Sequence, residues 1–163
     1  MTPTHEATLT VAHDSLEMLR TAVSGLPDEA MGWTPFPNGN PLAVLVMHSL
    51  TATRFWLACG SGHIGSLTRY RTEDRAPAFR ASGFSAVELA ATIDAFKAEV
   101  VELLREGTPG DLAAYAEFPE DPAFNGSGVG CLIRAVAHLR EHVGHAQAIH
   151  DLWLAAPAPP VRR

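Results

Sequence analysis

Cysteine is scarce in this sequence: Cys59 and Cys131 are the two present, and their spacing gives no CxxC motif. That is too few for a disulfide framework, and both read as core thiols. Basic charge is scarce as well. Twelve Lys and Arg stand against 18 Asp and Glu, a net charge of −6, so the chain lacks the basic face that nucleic acid or an anionic membrane requires. No run reaches the roughly 18 apolar residues of a membrane span. The first ten residues, MTPTHEATLT, show no basic segment followed by an apolar one, so secretion is not indicated and the expected location is the cytoplasm. Period-2 alternation of useful length and internal repeats are also missing, which leaves helices as the elements to look for.

What is there is ordinary for a water-exposed domain: 163 residues, 47% hydrophobic and 18% charged. A chain of this length buries a full core as one domain without disulfides or a stapling metal. Four helical patterns follow one another between Gly and Pro punctuation. The first runs from about Thr4 to Ser24, with Leu9, Ala12, Leu16, Leu19, Val23 and Leu26 alternating by three and four and Gly25 as its stop. A loop holding Trp33, Pro35 and Pro37 follows. Asn40 as N-cap and Pro41 in the first turn predict the start of the second helix. It carries Leu42, Leu45, Val46, Ala52, Phe55, Trp56 and Cys59, with His48 inside the apolar arc, and ends at Gly60 and Gly62.

Residues 61–83 read as a long polar connection carrying Arg69, Arg71, Arg75 and Arg80, irregular except for a short turn near Ala76 to Phe79. Those arginines form a solvated face or contact an anionic substrate. Ser85 with Glu88 is a capping box, and Phe84 with Leu89 fits a hydrophobic staple. The third helix should run to about Glu106 on a Leu89, Ile93, Phe96, Val100, Leu103 stripe. Another loop, 108–130, leads to a fourth helix from about Ser127 to Leu154. The final segment, 157–163, reads as a mobile tail beyond a 1–156 domain.

The fourth helix holds the pattern with chemistry in it. His138, His142 and His145 fall at i, i+4 and i+7, one stripe of a 3.6-residue helix, beside the apolar stripe Leu132, Val136, Leu139, Val143, Ala146. Neutral imidazole is a common metal ligand, and an i, i+4 pair can share one divalent ion. A third ligand must come from another helix, and His48 is the best candidate. Each histidine taken alone is more simply a hydrogen-bonded structural residue. Together they favour a metal site, because burying several unpaired imidazoles is costly. His145 lies about 10 Å along the axis from His138 at 1.5 Å per residue, too far to share an ion with it, so it is assigned to a position behind the ligands or in contact with substrate.

His138 to His142 also spells H-x-x-E-H, an inverted zinc-protease signature. It is set aside because such enzymes need larger scaffolds and Glu141 projects toward the solvated side, where Arg134 or Arg140 would pair with it. His5, His13, His63 and His150 read as surface or boundary residues.

Three stretches, LPDEAMGWTPFPNGNPLAVLVMHSL, TRFWLACGSG and AHLREHVGHAQAIHDLW, resemble the DinB-like (YfiT-like) family of small metal-binding four-helix proteins, over nearly the whole chain. The resemblance implies an all-α four-helix bundle with up-down-down-up connection, long loops after helices 2 and 3, and a homodimer. It carries the metal ligands onto His48, His138 and His142, with His145 following a G-H that some relatives show; His13 has no family role. Several members are similar to metal-dependent enzymes that use bacillithiol, mycothiol or glutathione for S-transfer or isomerisation. The implied function is therefore a divalent-metal enzyme, zinc or nickel, that activates a low-molecular-weight thiol or water and acts on a small molecule. A metal-dependent hydrolase, or a non-catalytic protein whose ion only pins helix 2 to helix 4, are the alternatives.

Overall fold

In the computed structural model, which describes residues 1–156, the chain is predominantly helical. Four long helices dominate: α1 (Pro3–Val23), α2 (Leu42–Gly60), α3 (Ala86–Arg105) and α4 (Gly128–Ala155). Helix α1 packs against α3 and α4, and α2 packs against the same two. Consecutive helices α1 and α2 therefore face each other across the core, as do α3 and α4, and each such crossing needs a connection long enough to span it. The expected tail, 157–163, lies outside the described residues.

Local chemistry accounts for the helix ends. Thr2 caps α1 by accepting from the His5 backbone N–H, and Gly25, at φ 77°, takes the left-handed turn just beyond it. The Ser85–Glu88 capping box is present in both directions, with Leu89 buried and Phe84 packed against the core. Ser127 caps α4 by accepting from the Gly130 N–H at 3.2 Å. At α2 the expected register shifts by one. Pro41 itself is the cap residue, in extended conformation with no side-chain capping bond, and the helix starts at Leu42.

Helix α2 is buried on nearly every face, from Leu42 to Gly60. It is also long and apolar enough, at mean hydropathy 1.4, to cross a membrane by composition; 83% of the window is buried inside the fold, as in a core helix. The other helices bury one stripe each: Ala12, Leu16, Leu19 and Val23 on α1, Leu89, Ile93, Phe96, Val100 and Leu104 on α3, and Leu132, Ala135, Leu139, Val143, Ala146 and Ile149 on α4. On α3 it is Leu104, at i+4 from Val100, that fills the place expected for Leu103, which stays half-buried.

The connections hold more structure than their composition suggests. Within residues 61–83 the ends are irregular as expected, but 67–78 are helical well beyond the short turn expected near Ala76: Leu67–Arg69 is an α-turn capped by Ser66, Tyr70–Arg75 is π-helical, and Ala76–Ala78 returns to α. The driving contacts are few. Leu67, Tyr70 and Ala78 are buried, and Tyr70 stacks on Phe55 of α2 at 4.2 Å, an apolar face hidden in the sequence by the arginines and acids around it. Asp28–Met31 and Pro109–Ala113 form short helical turns, the latter with its own Thr108–Asp111 capping box. Two short strands, β1 (Tyr115–Ala116) and β2 (Gly126–Ser127), pair antiparallel. Two residues per strand are too few to show a period.

Where α2 ends, it approaches α4 so closely that a Cβ on Gly60 would overlap the Leu132 side chain and crowd the Gly128 carbonyl. Helix propensity alone would make Gly60→Ala stabilising by about 1 kcal/mol. The contact reverses that expectation: urea denaturation should show Gly60→Ala less stable than wild type by about 1–3 kcal/mol.

Candidate metal centre

Because α2 is buried on nearly every face, its one imidazole is set in the core. His48 is 7% exposed and points at the i, i+4 pair of α4. The Nε2 atoms of His138 and His142 lie 3.2 Å apart, and both rings are edge-on to His48 with centroids 5.0 Å from it. One nitrogen from each of the three lies within 4.8 Å of the others. Two nitrogens bound tetrahedrally to one ion at 2.0–2.1 Å would be separated by roughly 3.3 Å, which the His138–His142 pair matches before any ion is placed.

A single N–H shared between His138 and His142 would satisfy those two Nε2 atoms. It does nothing for Nδ1 of His48, His138 and His142, each buried with no hydrogen-bond partner. An ion held by the two Nε2 atoms would leave Nδ1 of His138 and His142 unpartnered as before, so it is the convergence of one nitrogen from each ring that marks the cluster as a place for an ion. Packing rather than hydrogen bonding holds the rings. Burial also keeps them neutral, as a metal requires. Desolvation, helped by His138, His142 and Arg75, lowers the His48 pKa to about 3. Desolvation with His138 lowers His142 to about 4. His138 is lowered too, by burial first and the Arg75 charge last, against an opposing pull from Glu141. The three residues could hold one divalent ion.

His145 does not join the set. It is exposed, with its ring 5.5 Å from that of His142, and it lines a cleft of about 320 Å³ with Phe36, Asn38, Leu45, Ile149 and Leu152. The other flank of His48 is covered by Phe79, ring to ring at 4.4 Å, and Arg75 lies over Phe79 at 4.6 Å. Sequence reasoning missed these two as site residues. Their i, i+4 spacing would have signalled a shared helical face only if residues 67–78 had been read as helical.

The remaining histidines divide. Nε2 of His13 meets the Lys97 carbonyl at 3.1 Å and ties α1 to α3, while Nδ1 of His150 meets the Ala22 carbonyl at 2.9 Å and ties α4 to α1. His63 is exposed. His5 is not at the surface as expected but fully buried, bonded to Thr2 Oγ1 at 2.8 Å and seated against Gly107, where any Cβ would collide with its ring. Glu141 is exposed, and its expected partners are engaged elsewhere: Arg134 donates to the Ala123 carbonyl and lies over Trp56, and Arg140 contacts the Met18 sulfur. Cys59 and Cys131 are buried free thiols; the hydrogen bond with Cys131 and burial push Cys59 far above the ordinary thiol range.

The sequence profile of the DinB superfamily matches residues 12–146. The chain belongs to the DinB superfamily. Its fold is similar to that of a crystal structure described as the conserved protein of locus from Enterococcus faecalis, with TM-score 0.72 and 13% identity over 96% of this chain and 99% of that one. At that identity the likeness concerns the fold alone. No curated protein matches the chain. Within the superfamily match fall all three clustered histidines and His145.

Burial shifts the pH range in which the centre responds. An unfolded histidine titrates near 6.5, whereas folded His48 and His142 take up protons only near pH 3 and 4. Between these values the unfolded chain binds more protons, so the metal-free fold is most stable above about pH 6.5 and loses stability as pH falls toward 4. Urea midpoints of metal-free protein should drop between pH 7.5 and 5.5, above the range of the carboxylates, and His48→Leu should reduce that drop.

Proposed function

We propose that His48, His138 and His142 bind one divalent ion, zinc or nickel, and that the loaded site is the centre of a metal-dependent enzyme acting on a small molecule. In this reading the four long helices form the superfamily's up-down-down-up bundle, and the co-substrate is a low-molecular-weight thiol used for S-transfer or isomerisation. The observation that carries it is the donor set: three neutral imidazoles converge, and among the described residues no fourth Cys, Asp, Glu or His joins them. Three nitrogen ligands leave a coordination position free for an exchangeable molecule, as in catalytic rather than closed structural sites.

Bound there, a divalent ion supplies Lewis acidity that lowers the pKa of a thiol or water. The protein's own contributions are separate. Apolar α2 keeps water from the buried side of His48, and Phe79 covers its ring. His145, exposed and lining the apolar cleft, would contact substrate or exchange a proton with it. With no protein nucleophile called for, a hydrolase that activates water fits the same residues. The net charge of −6 supports a small molecule, rather than nucleic acid or membrane, as partner. A homodimer in the cytoplasm completes the reading, on the family resemblance and on composition. The non-catalytic alternative, an ion that only pins α2 to α4, is supported by the depth of His48.

Metal that binds only the folded state raises its stability by mass action, so chelation should lower the melting temperature of protein purified without nickel chromatography. His48→Ala, His138→Ala and His142→Ala should each abolish that chelator sensitivity, and His63→Ala and His150→Ala should keep it. His145→Ala should retain stoichiometric metal while losing thiol-dependent turnover. Tight metal binding by His138→Ala would overturn the assignment.

A further inference from the structure

The arginines of the 67–78 segment are not equivalent. Arg69 pairs with Glu73 at 3.0 Å, and Arg71 pairs with Asp121. Among the described residues Arg75 has no carboxylate partner. Its guanidinium lies over one part of a stack whose next layers are Phe79 and His48, at 4.6 Å and 4.4 Å. A π-helical stretch, Tyr70–Arg75, ends at this residue. Such wide turns are rare and occur often at functional sites. Here the widened stretch lies between the buried anchors Tyr70 and Ala78, and Arg75 leaves it toward the histidine cluster.

A cation beside a site for a divalent cation is unfavourable unless something negative binds there as well. In a chain of net charge −6, with acids available to pair every other arginine of that stretch, an unpaired guanidinium next to three metal-ligand candidates needs a reason. We propose that Arg75 is the anion-recognising residue of this centre, pairing with a carboxylate carried by the small molecule whose donor atom binds the metal. The proposal rests on the metal site put forward above and adds the substrate class: a two-ended ligand with a metal-binding donor at one end and a carboxylate at the other. Guanidinium suits that task, since its planar fork matches a carboxylate while its flat face stays on Phe79.

The test uses the whole protein loaded with cobalt(II), with 3-mercaptopropionate and the uncharged 3-mercapto-1-propanol as probes. Binding is read from the thiolate–cobalt absorption band and by calorimetry, and the ratio of the two affinities is compared between proteins so that thiol basicity cancels. Arg75→Gln should lower the ratio by about fivefold, the scale of a partly exposed charge pair. Arg75→Lys should restore part of it, and Arg80→Gln should leave it unchanged. Without any thiol, Arg75→Gln should bind cobalt at least as tightly as wild type, because a repelling charge has been removed; a residue that merely props up Phe79 would weaken the metal instead. An unchanged ratio in Arg75→Gln, or cobalt affinity lost in it, overturns the assignment to Arg75. Failure of wild type to take up cobalt, recognised before any thiol is added by the absence of binding heat and of cobalt d–d bands, overturns the metal reading and this proposal with it. Cobalt bound with no thiolate–cobalt band for either probe overturns this proposal alone.

Discussion

Everything about this centre depends on a histidine placed in a helix that is buried on nearly every face. Arg54 is the exposed exception on helix α2, and the His48 imidazole, 7% exposed, cannot carry a proton cheaply. It has to be neutral, and it has to face other groups that are neutral as well. The i, i+4 pair of α4 meets that requirement. Two further rings are presented at the same level, also desolvated, and one nitrogen of each of the three rings lies within 4.8 Å of the others. Three lone-pair donors converging in a dry seam are a poor structural device and a good cation site.

Close helix approach fixes the level at which the rings meet. Gly60 on α2 lies against Leu132 and the Gly128 carbonyl on α4 with no room for a methyl group, which locks the axial register of the two helices. The His13 and His150 bonds to backbone carbonyls tie α1 to α3 and to α4, so the frame around the seam is fixed by polar contacts as well as by packing. A shift of one residue on either helix would separate His48 from its partners, because side-chain direction turns by about 100° per residue.

The two flanks of the cluster differ in chemistry. On one side His145 borders an apolar cleft closed by Phe36, Leu45, Ile149 and Leu152. On the other, Phe79 and Arg75 place an aromatic face and a positive charge. The surroundings of the cluster are thus asymmetric, with an apolar cleft next to His145 and a cation stacked beyond Phe79.

The helices were legible in the sequence because their signals are local: the Ser85–Glu88 box, the stripes on α1 and α3, and Ser127 ahead of α4 all act within a few residues. The i, i+4 relation of His138 and His142 was legible for the same reason, since helical pitch alone sets it. That His48 is buried followed from its apolar neighbours. What sequence could not decide was everything settled by contacts between distant segments. His5 is buried because Gly107, more than a hundred residues on, leaves a hollow for its ring. The 67–78 segment is helical because Phe55 on α2 offers Tyr70 a surface, and that helix in turn carries Phe79 and Arg75 to the site. Exclusion of His145 from the ligands was legible in helical rise alone, about 10 Å from His138, whereas His48 was only the best candidate for a third ligand until the packing of α2 on α4 brought it to the pair, a constraint that acts through space and leaves no period in the chain.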